Sequence, residues 1–351
     1  MSRSLDFAPL TDPVERGELR AWVAQRRDKA EVAAASPGFR IFFGVLFALI
    51  LGPIVALLAV MTYGFLFAYN PGSFTWTGAT GLSIGLLVVL VIAFGAVRGV
   101  LAIWRERGQW AQWFRLDRFA AANGLVFTRR SRGSEYHGSA FEGVDRIERH
   151  DHLETKDESR LDYGTVSRIT VAGQKTSSRE FAYIALYLGH ALPHMMLDAK
   201  RNRESIALIK NDQVLSLEGD FDQHFTLYAP KGYERDALYI FTPDLMALLI
   251  DEANTFDVEI VGKWMMFHSS RLFDLQKPAT HERVFRIAET VGAKALRQSD
   301  GYSDERSPDR FRIARGGRRL RRAVSISGIV VGILVVLAPF LPLIVSAIEG
   351  R

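Results

Sequence analysis

The chain contains no cysteine. Disulfides, thiolate nucleophiles and cysteine-ligated zinc or iron–sulfur centres are therefore excluded. Phosphate-cradling glycine loops are also missing, since neither the dinucleotide fingerprint nor the P-loop pattern occurs. Charge is absent from two long stretches: residues 41–97 hold none over 57 positions, and residues 323–348 none over 26.

What is present is unevenly spread. The 351 residues are enough for one or two domains. The middle of the chain has the charge density of a water-facing domain, and the apolar residues gather near both ends. The net charge is +5, and the segment Arg310–Arg322, with seven arginines and no acid, accounts for all of it.

A membrane helix takes about 20 residues, so the first charge-free run is long enough for two, divided by the turn signal Asn70-Pro71-Gly72-Ser73. The sequence thus predicts a membrane-anchored α+β protein. It has three transmembrane helices, two N-terminal (41–69 and 80–104) and one C-terminal (323–348), plus a soluble antiparallel-sheet domain with flanking helices. Lysine and arginine flank the first two helices on the sides away from the 70–79 loop and crowd the start of the third, which predicts a multi-pass inner-membrane protein. Residues 1–40 form a cytoplasmic amphipathic arm, 70–79 an external loop, 105–309 the cytoplasmic domain, and 310–322 a basic juxtamembrane segment. The C-terminus is external. The partners expected are the lipid bilayer, anionic lipid at Arg310–Arg322, and a protein partner or a second copy through the membrane helices. Gly81/Gly85, Gly95/Gly99 and Gly328/Gly332 have the spacing for close helix approach. No nucleic acid is expected, because the arginine run lacks interleaved aromatics beyond Phe311.

Within 105–309 the pattern predicts a helix over 104–123, closed by Asn123-Gly124. Strands follow at 125–128, 165–171, 181–188, 194–199, 214–217, 225–228 and 237–241. The segment 145–163 is charged and reads as a mobile loop. Thr242-Pro243-Asp244 starts a helix to about 254, 256–261 and 263–267 read as a hairpin around Gly262, and a last amphipathic helix covers 280–296. Runs of strands with helices at the ends argue for an antiparallel sheet.

Three stretches carry a resemblance: Leu192-Pro193-His194-Met195-Met196-Leu197-Asp198, Leu217-Glu218-Gly219-Asp220-Phe221 through Tyr228, and Ala237 through Met246. Over about residues 110–300 the chain resembles an uncharacterised family of bacterial membrane-anchored proteins with a domain of unknown function. The resemblance implies an inner-membrane protein with a cytosolic domain, and it implies no activity or catalytic residue.

Candidate chemistry is sparse. Glu218, Asp220, Asp222 and His224 alternate, and in an extended segment all four share one side, where three carboxylates and an imidazole suit a divalent cation. Gly219 favours a turn, which scatters them. His150-Asp151-His152 is compact but sits in the charged segment without a rigid surround. His190 and His194 have helical metal-pair spacing, against which Pro193 argues. His281-Glu282 begins like a zinc-protease helix, but Phe285 stands where the second histidine is needed. Gly81 through Gly85 matches the letters of a nucleophile elbow inside an apolar stretch. No cofactor is expected. The function expected is a membrane-anchored cytoplasmic interaction or scaffold domain, with a metal-dependent hydrolase-type enzyme at the inner membrane face as the alternative.

Overall fold

The structure, a computed structural model, describes residues 4–27, 108–133, 135–156, 160–173, 175–202, 209–217, 219–309 and 312–321, with isolated positions between 52 and 98. The chain divides into two units, Asp12–Arg115 and a larger one of Met1–Thr11 with Leu116–Arg351. In the smaller unit, helix α2 (Arg16–Arg27) presents Trp22 edge-on to Trp110 and Phe114 of the helical run α3 (108–122), at 6.2 and 5.7 Å between ring centroids. In the larger unit, α1 (Ala8–Thr11) follows Phe7, which stacks on Phe119 at 5.9 Å. Asn123 ties the same segment down by accepting from the Asp6 amide and donating to the Asp6 carbonyl.

Seven strands make one sheet: β1 (Leu125–Arg132), β2 (Arg146–Thr155), β3 (Leu161–Ala172), β4 (Lys175–Ala199), β5 (Val214–Leu215), β6 (Phe225–Tyr228) and β7 (Asp257–Ser269). The order is β1-β2-β3-β4-β6-β5, with β7 also on β4, and every pairing is antiparallel. Strand β4 is the spine, with β3 on one edge of its first half and β7 along most of the other edge. The sheet curls sharply. Asn202, just beyond β4, accepts from both the amide and the hydroxyl of Ser270 at the far end of β7.

Two bulges decide which side chains share a face. In a regular strand, residues an odd number apart point to opposite faces. Between His150 and Leu153 the register of β2 on β3 slips by one, and Asp151 takes a left-handed φ of 44°. The extra residue brings Arg149 and His152 to the same face. Against β7 the register slips on both sides of the Leu192–Gly262 pair, with the extra residues on β4; Gly262 takes a left-handed φ of 59°, and Glu259 and His268, nine apart on β7, face the same side.

One face of the sheet is covered by helices: α4 (Phe221–His224), α5 (Glu234–Ile240), α6 (Pro243–Ala253), α7 (Pro278–Ile287) and α8 (Ala293–Asp300), the last two joined by a π turn at 288–292. Here His281 packs on Phe119 at 4.3 Å, accepts from the Tyr163 hydroxyl at 2.8 Å through Nδ1, and donates to the Leu275 carbonyl through Nε2. Gly292 presses so close to β4 that a Cβ would meet Leu186 Cδ1 at 2.8 Å. The opposite face is covered by residues 133–145, whose Tyr136 and Phe141 pack on Val166, Tyr183 and Met266. The C-terminal strap 312–321 returns to the sheet domain through Arg319, Leu320 and Arg321.

Several expectations are corrected. Among the described residues no helix is long and apolar enough to cross a membrane. The three-transmembrane-helix architecture, the multi-pass inner-membrane placement and the inside/outside assignment lose their basis with it. A charge-free run states composition, whereas a span needs a continuous helix of about 20 residues. The longest described helical run, 108–122, is short of that and carries Arg115, Asp117 and Arg118. The segments 41–69, 70–79, 80–104 and 323–348 lie outside the described residues apart from those isolated positions. Within the charged segment 145–163, expected as a loop, residues 146–155 are β2 and 161–163 the start of β3, because their polar side chains bond to one another across the strands, and 157–159 lie outside the described residues. Residues 237–240 belong to α5 and Phe241 follows its end; Glu234 and Asp236 lie in the first turn, and Ala237 and Ile240, three apart, are buried. The hairpin expected around Gly262 is a single strand with a bulge.

Gly164 lies opposite the β2 bulge, where a Cβ would meet His152 Cβ at 2.6 Å, its Cα at 2.7 Å and the Asp151 carbonyl at 2.9 Å. Backbone cannot yield as a side-chain tip can. Gly164→Ala is therefore expected to lower the unfolding free energy by about 2–4 kcal/mol, read by urea denaturation. Gly17→Ala on α2, with open space around its Cβ, should be neutral or stabilising.

Candidate anion-binding cavity and the buried polar face

The bulges gather charged groups on the face covered by residues 133–145. Asp162 of β3 is buried and receives Tyr136 Oη at 2.6 Å, Tyr183 Oη at 2.9 Å, Arg149 Nη1 at 2.6 Å and His152 Nδ1 at 3.2 Å. Burial pushes its carboxyl up, but the hydrogen bonds from His152 and Tyr136 and the charge of Arg149 outweigh this and hold it below the usual carboxylate range. Tyr136 and Tyr183 are pushed far up by burial and by the carboxylate they bond, so both stay neutral donors.

Glu259 of β7 is another buried carboxylate. It accepts the Ser139 amide at 2.7 Å, the Ser139 hydroxyl at 2.8 Å and His194 Nε2 at 2.7 Å. Burial raises its carboxyl, and these donors more than reverse the effect. The Leu320 amide donates to His194 Nδ1 at 3.1 Å. A backbone N–H can only donate, so Nδ1 is bare and Nε2 carries the proton that faces Glu259. His194 thus links the strap to the sheet.

His152, Glu154 and Asp162 place one ligand atom each within 4.8 Å of one another, the metal-like grouping found among the described residues. Its chemistry is that of a brace. His152 already uses Nδ1 on Asp162 and Nε2 on Ser131 Oγ (3.1 Å), and Asp162 is neutralised by Arg149. Removing that charge in Asp162→Asn leaves the half-buried Arg149 without its counter-ion. A loss of about 3–5 kcal/mol is expected in thermal or urea unfolding.

His268 is fully buried and neither ring nitrogen has a hydrogen-bond partner; its Nε2 lies 3.9 Å from Glu259. Burial lowers its pKa from 6.5 to about 4, and burial likewise lowers His281 to about 4. Both are neutral when folded and protonate more readily when unfolded. Their stabilisation is complete above pH 6.5 and lost as pH falls towards 4, by about 3 kcal/mol each at most. A plot of unfolding free energy against pH should therefore fall across this window with a slope approaching two protons. His268→Phe should remove one of them.

The acidic alternation does not assemble as an extended row. Residues 221–224 are a helical turn, so every second residue no longer shares a side. Asp222 accepts from the Ser216 hydroxyl and from the Leu217 amide. Asp220 is exposed and 3.9 Å from His224 Nε2, and Glu218 lies outside the described residues. His190 bonds Asp300 at 3.3 Å, and His281 is a core residue satisfied at both nitrogens. In the arginine run, Arg318 donates to the Ile313 carbonyl, Arg319 to Glu142 and the His137 carbonyl, and Arg321 to Asp212. Arg310, Phe311 and Arg322 lie outside the described residues.

A cavity of about 450 Å³ opens where the curl of the sheet brings the residues after β4 close to the end of β7. Arg201 follows β4, Arg271 follows β7, and Arg283 rises from α7. Arg283 is held by Thr255 Oγ1 (2.8 Å) and the Glu252 carbonyl (3.2 Å), with its guanidinium 4.8 Å over the Phe256 ring. Burial lowers its pKa; Glu252 opposes this, while the neighbouring charges of Arg286 and Arg271 add to it. Asp274, the one carboxylate in the lining, is paired with Lys277 at 3.1 Å. Among the described residues no carboxylate forms an ion pair with Arg201, Arg271 or Arg283. Sequence reasoning missed this trio because Arg201, distant in sequence from Arg271 and Arg283, meets them only through the curl of the sheet.

Compared with family models, with curated proteins and with solved structures, the chain matches none.

Proposed function

We propose that the sheet domain is an interaction module that recognises an anionic group, docked in the cavity floored by Arg283. The observation that carries this is three guanidinium groups sharing one cavity with no ion-pair partner among the described residues. Like charges held close raise the energy of the empty site, and an entering oxyanion relieves it. Guanidinium forks suit carboxylate, sulfate and phosphate, which they bond in pairs. The volume lies near the lower end for ligand sites, which suits an anionic head presented by a larger partner. Ser270 and Thr255 add hydroxyls along the wall.

The test is thermal unfolding and calorimetric titration of the full chain with inorganic phosphate and with sulfate, against chloride at matched ionic strength. Saturable binding and a rise in Tm beyond the chloride effect are expected. Arg271→Gln and Arg283→Gln should each weaken binding about tenfold or more, as loss of a charge-assisted hydrogen bond does. Phosphate and sulfate shifts equal to those of chloride, unaltered by both substitutions, would contradict the reading.

A further inference from the structure

A second cleft, of about 650 Å³, lies elsewhere on the same unit, between the bulge of β7 and the C-terminal strap. One wall is aromatic. Tyr187 of β4 and Trp264 of β7 are direct cross-strand partners, half-buried, with ring centroids 5.3 Å apart. The Arg160 guanidinium lies 4.9 Å over Trp264 and 5.3 Å over Tyr187, and Glu135 holds it there at 2.6 Å. A guanidinium plane laid on aromatic rings is a platform on which another flat group can stack.

The charged groups of the remaining lining are mostly cationic. Lys263, Arg312, Arg318 and Arg319 join Arg160, against the single carboxylate of Glu135, which Arg160 already occupies. Arg319 is spent on Glu142 and the His137 carbonyl. Arg318 uses only its Nε, on the Ile313 carbonyl, so its two terminal nitrogens have no partner among the described residues. The Lys263 ammonium, 6.0 Å from the Tyr187 ring, has no anionic partner among them either. Backbone beside the floor leaves room: Gly262 has nothing within 4 Å of where its Cβ would be.

We propose that this cleft binds a small organic anion in which a flat unsaturated ring carries a phosphate or sulfonate group. The ring stacks against the Arg160–Trp264–Tyr187 platform, and the anionic group is taken by Lys263 and the free end of Arg318. The site is independent of the arginine cavity and stands or falls separately from it.

The probes are adenosine monophosphate, adenosine, inorganic phosphate and a naphthalene sulfonate, titrated into the full chain by calorimetry and tryptophan fluorescence. Both flat anions should bind at least about tenfold more tightly than adenosine or phosphate, each of which lacks half of the recognised chemistry. Lys263→Gln and Arg318→Gln should each weaken the flat anions by about tenfold while leaving Tm in place, since both side chains are solvent-facing. Trp264→Leu should weaken adenosine as well, and Arg271→Gln should change nothing at this site. The proposal is overturned if neither flat anion binds, if both bind no better than phosphate, or if Lys263→Gln and Arg318→Gln leave their affinity unchanged. Loss of nucleotide binding in Arg271→Gln would place the ligand in the other cavity and equally overturn it.

Discussion

The structure turns on two carboxylates buried under one face of the sheet. A carboxylate removed from water costs several kcal/mol unless donors and counter-charge replace the solvent. Asp162 receives them from β2, β4 and residue 136, and Glu259 from His194 and residue 139. Tyr136 and Ser139 therefore fix one segment over the sheet at two points. Residues 133–145 are held there by the charges beneath them as much as by the apolar packing of Phe141. The two backbone bulges are the condition for this, since without them Arg149 and His152, or Glu259 and His268, would face opposite ways.

The cavities follow from the same geometry. Up to the register slip opposite Gly262, Trp264 of β7 pairs with Tyr187 beside the strap, and the strap is held by the Leu320 amide on His194. At the other end of β7, the curl brings Asn202 onto Ser270 and leaves Arg201 and Arg271 in the lining of the cavity that Arg283 floors. Both openings are lined by more cations than carboxylates. Cations thus gather in concave sites as well as along the arginine run, several of whose members are paired within the domain.

Legibility in the sequence tracked periodicity. Strand β6, Phe225–Tyr228, has the limits that its alternation predicts, and α6 starts at Pro243 after Thr242 as the proline signal indicates, although the Thr242 hydroxyl does not cap it. Alternation fails where the register slips and a glycine takes a left-handed φ, so β7 reads as a hairpin broken at Gly262. It also fails where a strand buries polar residues: Arg149, His152 and Asp162 look like solvated loop because the partners that neutralise them are distant in sequence or, for one another, across a bulge. The Ala237–Phe241 stretch has strand-like composition, but its acidic start and the burial of residues three apart make it helical. In the acidic alternation, a turn at 219–220 and the short helix α4 stand where an extended segment is needed to align the side chains, as Gly219 indicates. The arginine trio left no local signal. The charge-free runs report composition alone, and composition does not establish a membrane span.

The central claim is that buried carboxylate and imidazole groups hold residues 133–145 and the C-terminal strap on the sheet. Amide hydrogen exchange at Ser139 and Leu320 addresses it directly, because their N–H groups donate to Glu259 and His194. Near neutral pH both amides should exchange as slowly as those of the central strands β4 and β7, through opening of the whole domain. Exchange at the rate of an open loop, with β4 and β7 still protected, would contradict the account.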